Sequence, residues 1–219
     1  MVHGGGMARL SCWWSVGPRA WQRCCRAAAR AGSRVAPTGG GCPRTSRQSA
    51  RVLQDGEEPT VVVAHSYGGI VTAEAAAGVS SVHHLMLVSS YLPEVGQSLS
   101  DFGDGTPAPF LDVDPDSGTF GVRPEFLVET FLQDCDPDTQ AQAADKLARQ
   151  SVHVTAQPVG AAAWQQVPST YLVCAQDKGT PARLQRDLAR KAGTVVELDT
   201  GHHPFLSQPA AVQNLLLSL

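Results

Sequence analysis

Apolar and polar residues along this chain fall into two regimes. From residue 60 onward, short runs rich in β-branched residues alternate with longer segments of helix-forming composition. The run TVVVA (60–64) reads as a strand, and the alanine-rich 70–77 as the helix that follows it after a sharp turn. The alternation returns in SVHHLMLVSS (81–90), STYLVCAQD (169–177) and TVVELDT (194–200) as strands, with PARLQRDLARKAG (181–193) and QPAAVQNLLLSL (208–219) as helices. Strands apolar almost throughout, rather than at alternate positions, are buried on both faces. The pattern therefore predicts an α/β fold, a mostly parallel, doubly wound sheet with helices on both sides.

Between Tyr91 and Val167 that rhythm stops. Glycine and proline crowd residues 92–121, two helices are expected over 124–132 and 137–150, and a loop leads to Trp164. An excursion of about 75 residues between two sheet strands exceeds an ordinary connection and reads as an inserted, mainly helical cap. Ahead of residue 60, RAWQRCCRAAARAG (19–32) is expected as a helix, SRVAP (33–37) as a short strand and 47–53 as a further helix.

Composition narrows the class. The chain has 219 residues, 42% hydrophobic and 17% charged, as expected of a globular protein with one α/β core carrying an insertion. No apolar run approaches the roughly 20 residues that span a bilayer, so no membrane association is expected. The net charge of -3 conceals an asymmetry. Residues 1–54 hold nine arginines and no acid, and the remainder sets eight Lys/Arg against twenty acids, or -12. Such a start has the composition of a nucleic-acid arm or a transit peptide. Trp13, Trp14, Trp21, Cys24, Cys25 and an alanine run interrupt the arginines, as a packed helix requires, and no nucleic-acid partner is expected. The six cysteines, at 12, 24, 25, 42, 135 and 174, form no C-x-x-C pair and indicate neither a zinc site nor a disulfide framework. Arg9 and a glycine cluster stand where a signal peptide would need its apolar region, so a reduced, cytoplasmic setting is expected.

The candidate chemistry begins at AHSYGG (64–69). A serine presented on a tight strand-to-helix turn needs small neighbours, and Ala64, Gly68 and Gly69 supply them around Ser66, with Ala64 in the first position of a G-x-S-x-G pattern. The helix that follows places free amides beside Ser66, and the amide of Tyr67 is the natural first oxyanion donor. A serine hydroxyl also needs a base, normally a histidine oriented by a carboxylate. Asp177 lies just past the 169–177 strand, and His202 lies in the glycine-led loop after the next one. The order Ser66, Asp177, His202 is that expected of strand-end loops on one side of such a sheet. Asp199 falls within the strand's end, and His203, one residue beyond His202, should point elsewhere. Near the start, VHGGG (2–6) offers backbone that can approach a ligand closely, as an oxyanion loop must.

With these residues in view, the chain resembles the α/β-hydrolase superfamily, and within it the small bacterial esterase-like members related to plant methyl esterases and hydroxynitrile lyases. The resemblance rests on VHGGG (2–6), VVVAHSYGGIV (61–71), LPEVGQS (92–98), PSTYLVCAQD (168–177) and LDTGHHPFLSQP (198–209), and it covers 60–219 better than 1–59. It implies a core of residues 1–90 and 168–219 with a cap over 91–167. Ser66 would be the nucleophile, His202 the general base and acid, Asp177 its orienter, and Gly5 with Tyr67 the oxyanion donors. In relatives a full central strand precedes the glycine loop, whereas only Met1 and Val2 precede His3. A truncated N-terminal strand is therefore expected, as an upstream start or a local shift of reading frame would leave it. The implied function is a serine hydrolase of carboxylic esters of small, rather apolar substrates, with no cofactor and no metal. The alternatives are a hydroxynitrile lyase, in which relatives often add a lysine near the histidine, and a non-catalytic relative with an incomplete N-terminal region. No lysine lies close to His202 in sequence.

Other motifs carry less. DVDPDSG imitates the start of a calcium loop through Asp112, Asp114 and Asp116, but its sixth position is Ser117 and its twelfth Arg123, so it reads as a solvated cap loop. His83 with His84, and His202 with His203, are adjacent pairs whose side chains diverge on a strand. His153 and Trp164 read as packing residues near the cap's return. Phe110, Leu111, Phe120, Phe126 and Phe131 are expected to supply an apolar wall.

Overall fold

A computed structural model of the chain describes residues 9–13, 34–35, 46, 49–51, 53–54 and 58–219. In chain order its elements are β1 (Arg9–Trp13), β2 (Arg34–Val35), β3 (Thr60–His65), α1 (Gly68–Ala75), β4 (Val82–Val88), β5 (Leu111–Asp114), β6 (Thr119–Val122), α2 (Pro124–Phe131), α3 (Pro137–Ala143), β7 (Gln150–Ser151), β8 (Ser169–Cys174), α4 (Ala182–Ala189), β9 (Thr194–Leu198), α5 (Pro204–Ser207) and α6 (Pro209–Leu217). Among the described residues, six strands form one sheet in the order β2-β1-β3-β4-β8-β9, with every neighbouring pair parallel.

Continuous apolar strands follow from burial on both faces. Alternate residues of β3, β4 and β8 feed two different cores. Val62, Ala64, Leu85, Leu87, Tyr171 and Val173 pack with Val71 and Ala75 of α1 and Leu188 of α4. Val61, Val63, Met86, Val88, Leu172 and Cys174 pack on the opposite face with Phe205 of α5 and Val212 of α6. Each fully buried Val or Leu contributes about 1.5–3 kcal/mol, so neither face tolerates a polar alternation. Cys135 and Cys174 carry free, buried thiols.

The sheet position beside β3 is taken by β1, Arg9–Trp13, paired in register with residues 60–64. A strand therefore lies between β2 and β3, but in sequence it follows the glycine cluster at 4–6 rather than preceding it. The described positions among 46–54 are helical, and Leu53 joins the first core.

The insertion carries a small sheet as well as its helices. Strands β5, β6 and β7 pair antiparallel. The DVDPDSG run forms the β5–β6 hairpin turn, where Asp114 accepts from the amides of Asp116 (3.0 Å) and Ser117 (3.2 Å) and from Ser117 Oγ (2.6 Å), and Gly118 takes φ +60°. Arg149 fastens the hairpin through Asp112 and Thr119. α2 and α3 each begin with a proline in the first turn, where a missing amide is harmless, and Asp136 caps α3 by accepting from Thr139 N at 2.9 Å. α3 ends at Ala143, short of the expected 150, because the chain turns back to supply β7. The terminal helix expected over 208–219 is α6, which starts at Pro209, where the ring separates it from the short α5. Among the described residues, no helix is long and apolar enough to cross a membrane.

Helix α1 lies unusually close to the loop after β4. A Cβ on Gly69 would overlap the Tyr91 carbonyl and Ser90 Oγ. Gly69→Ala is therefore expected to destabilise the fold by about 1–3 kcal/mol, lowering the thermal midpoint by roughly 3–10 °C in a calorimetric or circular-dichroism melt.

Candidate active site

Strand β3 delivers Ser66 to a strained turn. Its φ is +52°, a conformation that costs a residue bearing a Cβ roughly 1 kcal/mol. Four hydrogen bonds hold it there. The Ser66 amide donates to the Val88 carbonyl (3.1 Å), and its carbonyl accepts from the amides of Gly69 (3.2 Å) and Tyr91 (3.3 Å) and from Ser90 Oγ (3.1 Å). Ser66 is half-buried. Tyr67 caps the start of α1, which sets its amide at the positive end of the helix. Gly5, the other expected oxyanion donor, lies outside the described residues.

Asp177 follows β8 and is buried. Its Oδ1 accepts from the amides of Gly179 (2.8 Å) and Thr180 (3.0 Å), and its Oδ2 accepts from Gln185 Nε2 (2.9 Å), Ser89 Oγ (2.5 Å) and His202 Nδ1 (2.7 Å). Burial, the largest single influence, would raise the carboxyl. The neighbouring His202, the Ser89 hydroxyl and the Thr180 amide outweigh it and hold Asp177 below the usual carboxylate range. A carboxylate so fixed accepts the Nδ1 proton of His202 and leaves Nε2 with the lone pair.

His202 is docked on the serine turn through its neighbours. His65, the residue before Ser66, donates from Nε2 to the His202 carbonyl at 2.8 Å, and the two rings meet edge-on at 4.5 Å. His203, expected to point elsewhere, instead packs beside His202 at 4.9 Å and reaches the Phe131 carbonyl through Nδ1 at 2.8 Å. Burial first, then the charge that His202 and His203 could carry, lowers the pKa of His65 well below its ordinary value. Burial and His202 likewise push His203 down to about 3. Among the described residues, these three histidines offer ring nitrogens within 4.8 Å of one another, the group that could hold a metal ion. In the structure, one nitrogen of each ring is engaged by the His202 carbonyl, Asp177 or the Phe131 carbonyl.

Residues 1–214 match the model of the Alpha/beta hydrolase family. The chain belongs to the alpha/beta hydrolase family. It is 27% identical over 183 residues to the Alpha/beta hydrolase nvfD of Aspergillus novofumigatus (strain IBT 16806), covering 78% of this chain and 73% of that protein. Its fold is similar to that of polyneuridine aldehyde esterase, with a TM-score of 0.81 and 19% identity over 97% of this chain and 99% of that one. It is also similar to a pyrethroid hydrolase from Sphingobium faniae JZ-2, with a TM-score of 0.80 and 18% identity over 96% of each chain. Family membership supports hydrolase chemistry.

In this α/β hydrolase the cap does more than cover the sheet. Its segment after α2 reaches both loops that carry Asp177 and His202. Gln133 Nε2 donates to the Gln176 carbonyl (2.8 Å), and Asp134 Oδ2 accepts from the Gly201 amide (2.7 Å). Phe131 lays its ring against His202 at 5.2 Å and against Phe110 at 5.0 Å. A cavity of about 320 Å³ lies among residues of the cap itself, lined by Tyr91, Leu99, Phe102, Leu111, Phe120 and Val152 among others. Of the expected apolar wall, Leu111 and Phe120 line this cavity, Phe131 packs on His202, Phe110 packs on Phe131, and Phe126 is half-buried on α2. Trp164 is a packing residue whose Nε1 donates to the Pro93 carbonyl at 2.8 Å, and His153 is exposed. The structure adds residues that had no signal in the sequence: Ser89, Gln185, Gln133 and Asp134.

Buried, neutral histidines make stability depend on pH. The unfolded chain, whose histidines titrate near 6.5, binds more protons at acid pH than the folded one. Stability is therefore full above that value and falls as pH drops toward the folded value of about 3 for His203. The expected slope is about 1.4 kcal/mol per pH unit for each such histidine. The thermal midpoint should fall between pH 6.5 and 4, and less steeply in His203→Gln. An identical slope in that variant would contradict the assignment.

Proposed function

We propose that this α/β hydrolase cleaves carboxylic esters of small, rather apolar substrates through a serine acyl-enzyme. The observation that carries the reading is the buried 2.7 Å contact of His202 Nδ1 with Asp177 Oδ2, docked by His65 on the strained turn that holds Ser66. On this reading Ser66 Oγ attacks the ester carbonyl while His202 takes its proton. The Tyr67 amide, with a second donor in the glycine loop at Gly5, receives the negative charge on the carbonyl oxygen. Collapse of that intermediate breaks the bond to the alkoxide, which leaves with the proton from His202. Water, deprotonated by the same histidine, then releases the acyl group.

The aromatic and aliphatic lining of the cap cavity supports an apolar substrate. The name of polyneuridine aldehyde esterase points the same way. A lyase would be served by a cation beside His202. The rings packed on His202 are those of His65, His203 and Phe131, and Lys178 pairs with Glu129 at an exposed site. Ester hydrolysis is therefore the reading we favour over both the lyase and a non-catalytic relative.

Ser66→Ala is expected to reduce turnover of p-nitrophenyl acetate by at least about a thousandfold while the melting profile stays near that of the wild type. A fluorophosphonate probe should label the wild type at Ser66 and not the variant. Full turnover in Ser66→Ala would remove the triad.

A further inference from the structure

A second serine stands in the hydrogen-bond network of the proposed acid and base. Resting on the triad reading above, we propose that Ser89 is a positioning residue for the reaction. Its hydroxyl holds the Asp177 carboxylate in place and moderates the pull of that carboxylate on the Nδ1 proton of His202.

The geometry is specific. Ser89 ends β4, is fully buried, and donates from Oγ to Asp177 Oδ2 at 2.5 Å, the same oxygen that meets His202 Nδ1. Its Oγ also lies 3.3 Å from that Nδ1, so one hydroxyl touches both partners. The backbone at Ser89 is strained, with φ +43°, and Ser66 is the other non-glycine residue with positive φ among the described residues. Glycine would occupy such a backbone without strain, and what serine adds is the hydroxyl. That hydroxyl is spent on the carboxylate.

The chemical consequence follows from where the charge sits. Around the Asp177–His202 pair stand His65 from the end of β3, Ser89 and Tyr91 after β4, Cys174 from β8, Gln185 from α4, His203 in the base loop, and Phe131 and Asp134 from the cap. Burial keeps His65 and His203 neutral, and it raises Tyr91 and pushes Cys174 up to about 12. Asp177 is thus the charge in direct contact with His202. A hydroxyl donated to Oδ2 spreads that charge; without it, the carboxylate pulls harder on Nδ1–H and favours the protonated ring, which cannot act as a base.

Ser89→Ala and Ser89→Gly, assayed with p-nitrophenyl acetate, test the role. Both should lose about tenfold in kcat with KM within about twofold, and the acidic limb of the pH profile of kcat/KM should move to higher pH by about half a unit. Ser89→Gly should melt higher than Ser89→Ala, because glycine relieves the backbone. An unmoved acidic limb, with or without a lower thermal midpoint, would mean that Ser89 only fills space and would overturn the proposal. The Ser66→Ala control separates the two readings. Equal turnover of wild type and Ser66→Ala overturns both, whereas a dead Ser66→Ala with an unmoved limb in the Ser89 variants overturns the role of Ser89 alone.

Discussion

The parallel register of the sheet decides which loops meet. Each central strand passes its hydrogen bonding one step beyond its own end. The Ser66 amide donates to the Val88 carbonyl at 3.1 Å, the Ser89 amide to the Leu172 carbonyl at 3.0 Å, the Ala175 amide to the Leu198 carbonyl at 2.9 Å and the Gln176 amide to the Thr200 carbonyl at 2.9 Å. Because all strands run the same way, these steps gather residues 66, 89, 177 and 202 at one edge, although up to 137 positions separate the contacting residues in sequence. Two of the four, Ser66 and Ser89, carry left-handed backbone at the ends of adjacent strands. The double core beneath, with a buried side chain on either face at nearly every position of β3 and β8, makes the frame stiff enough to hold that strain.

Electrostatics then depends on this frame. A buried carboxylate is costly unless it is fully hydrogen-bonded, and Asp177 has five donors on its two oxygens. Three come from side chains on β8's neighbours: Ser89 from β4, Gln185 from α4 and His202 from the loop after β9. Gln185 is itself fully buried and is held by the Cys174 amide at 2.9 Å and the Thr180 carbonyl at 2.6 Å. The histidines around His202 complete the setting because desolvation keeps them uncharged. Any positive charge that forms on His202 therefore faces a carboxylate and not a second imidazolium.

Local patterns made the strands and the candidates Ser66, Asp177 and His202 readable, since a two-faced strand writes a continuous apolar run and a tight strand-to-helix turn writes small residues around a serine. Residues whose role depends on register write nothing locally. Ser89 is one serine at the end of an apolar run, and Gln185 is one polar residue in an amphipathic helix, yet both meet Asp177. The divergence rule for neighbouring side chains misplaced His203 because it holds for pleated strands, whereas the loop after β9 is irregular there, with φ -121° and ψ 67°. The cap sheet escaped for a different reason. Its strands are four, four and two residues long and largely half-buried, too short to show a two-residue period against a background of glycine, proline and aspartate.

The cap reaches the proposed catalytic loops through one short segment. Phe131, Gln133 and Asp134 follow one another at the end of α2, and they touch His202, the Gln176 carbonyl and the Gly201 amide in turn. The fit is close. A Cβ on Gly179 would overlap the Phe131 ring, and one on Gly201 would run into Asp134 and Gln133. A cap held this way resists swinging as a rigid lid, because opening would break hydrogen bonds on both loops at once and expose the edge of His202. Leu111 and Phe120 of the β5–β6 hairpin line the cavity together with Leu99 and Phe102, and none of these four residues belongs to that segment. The cap thus divides into a part tied to the loops of Asp177 and His202 and a part that lines the apolar cavity.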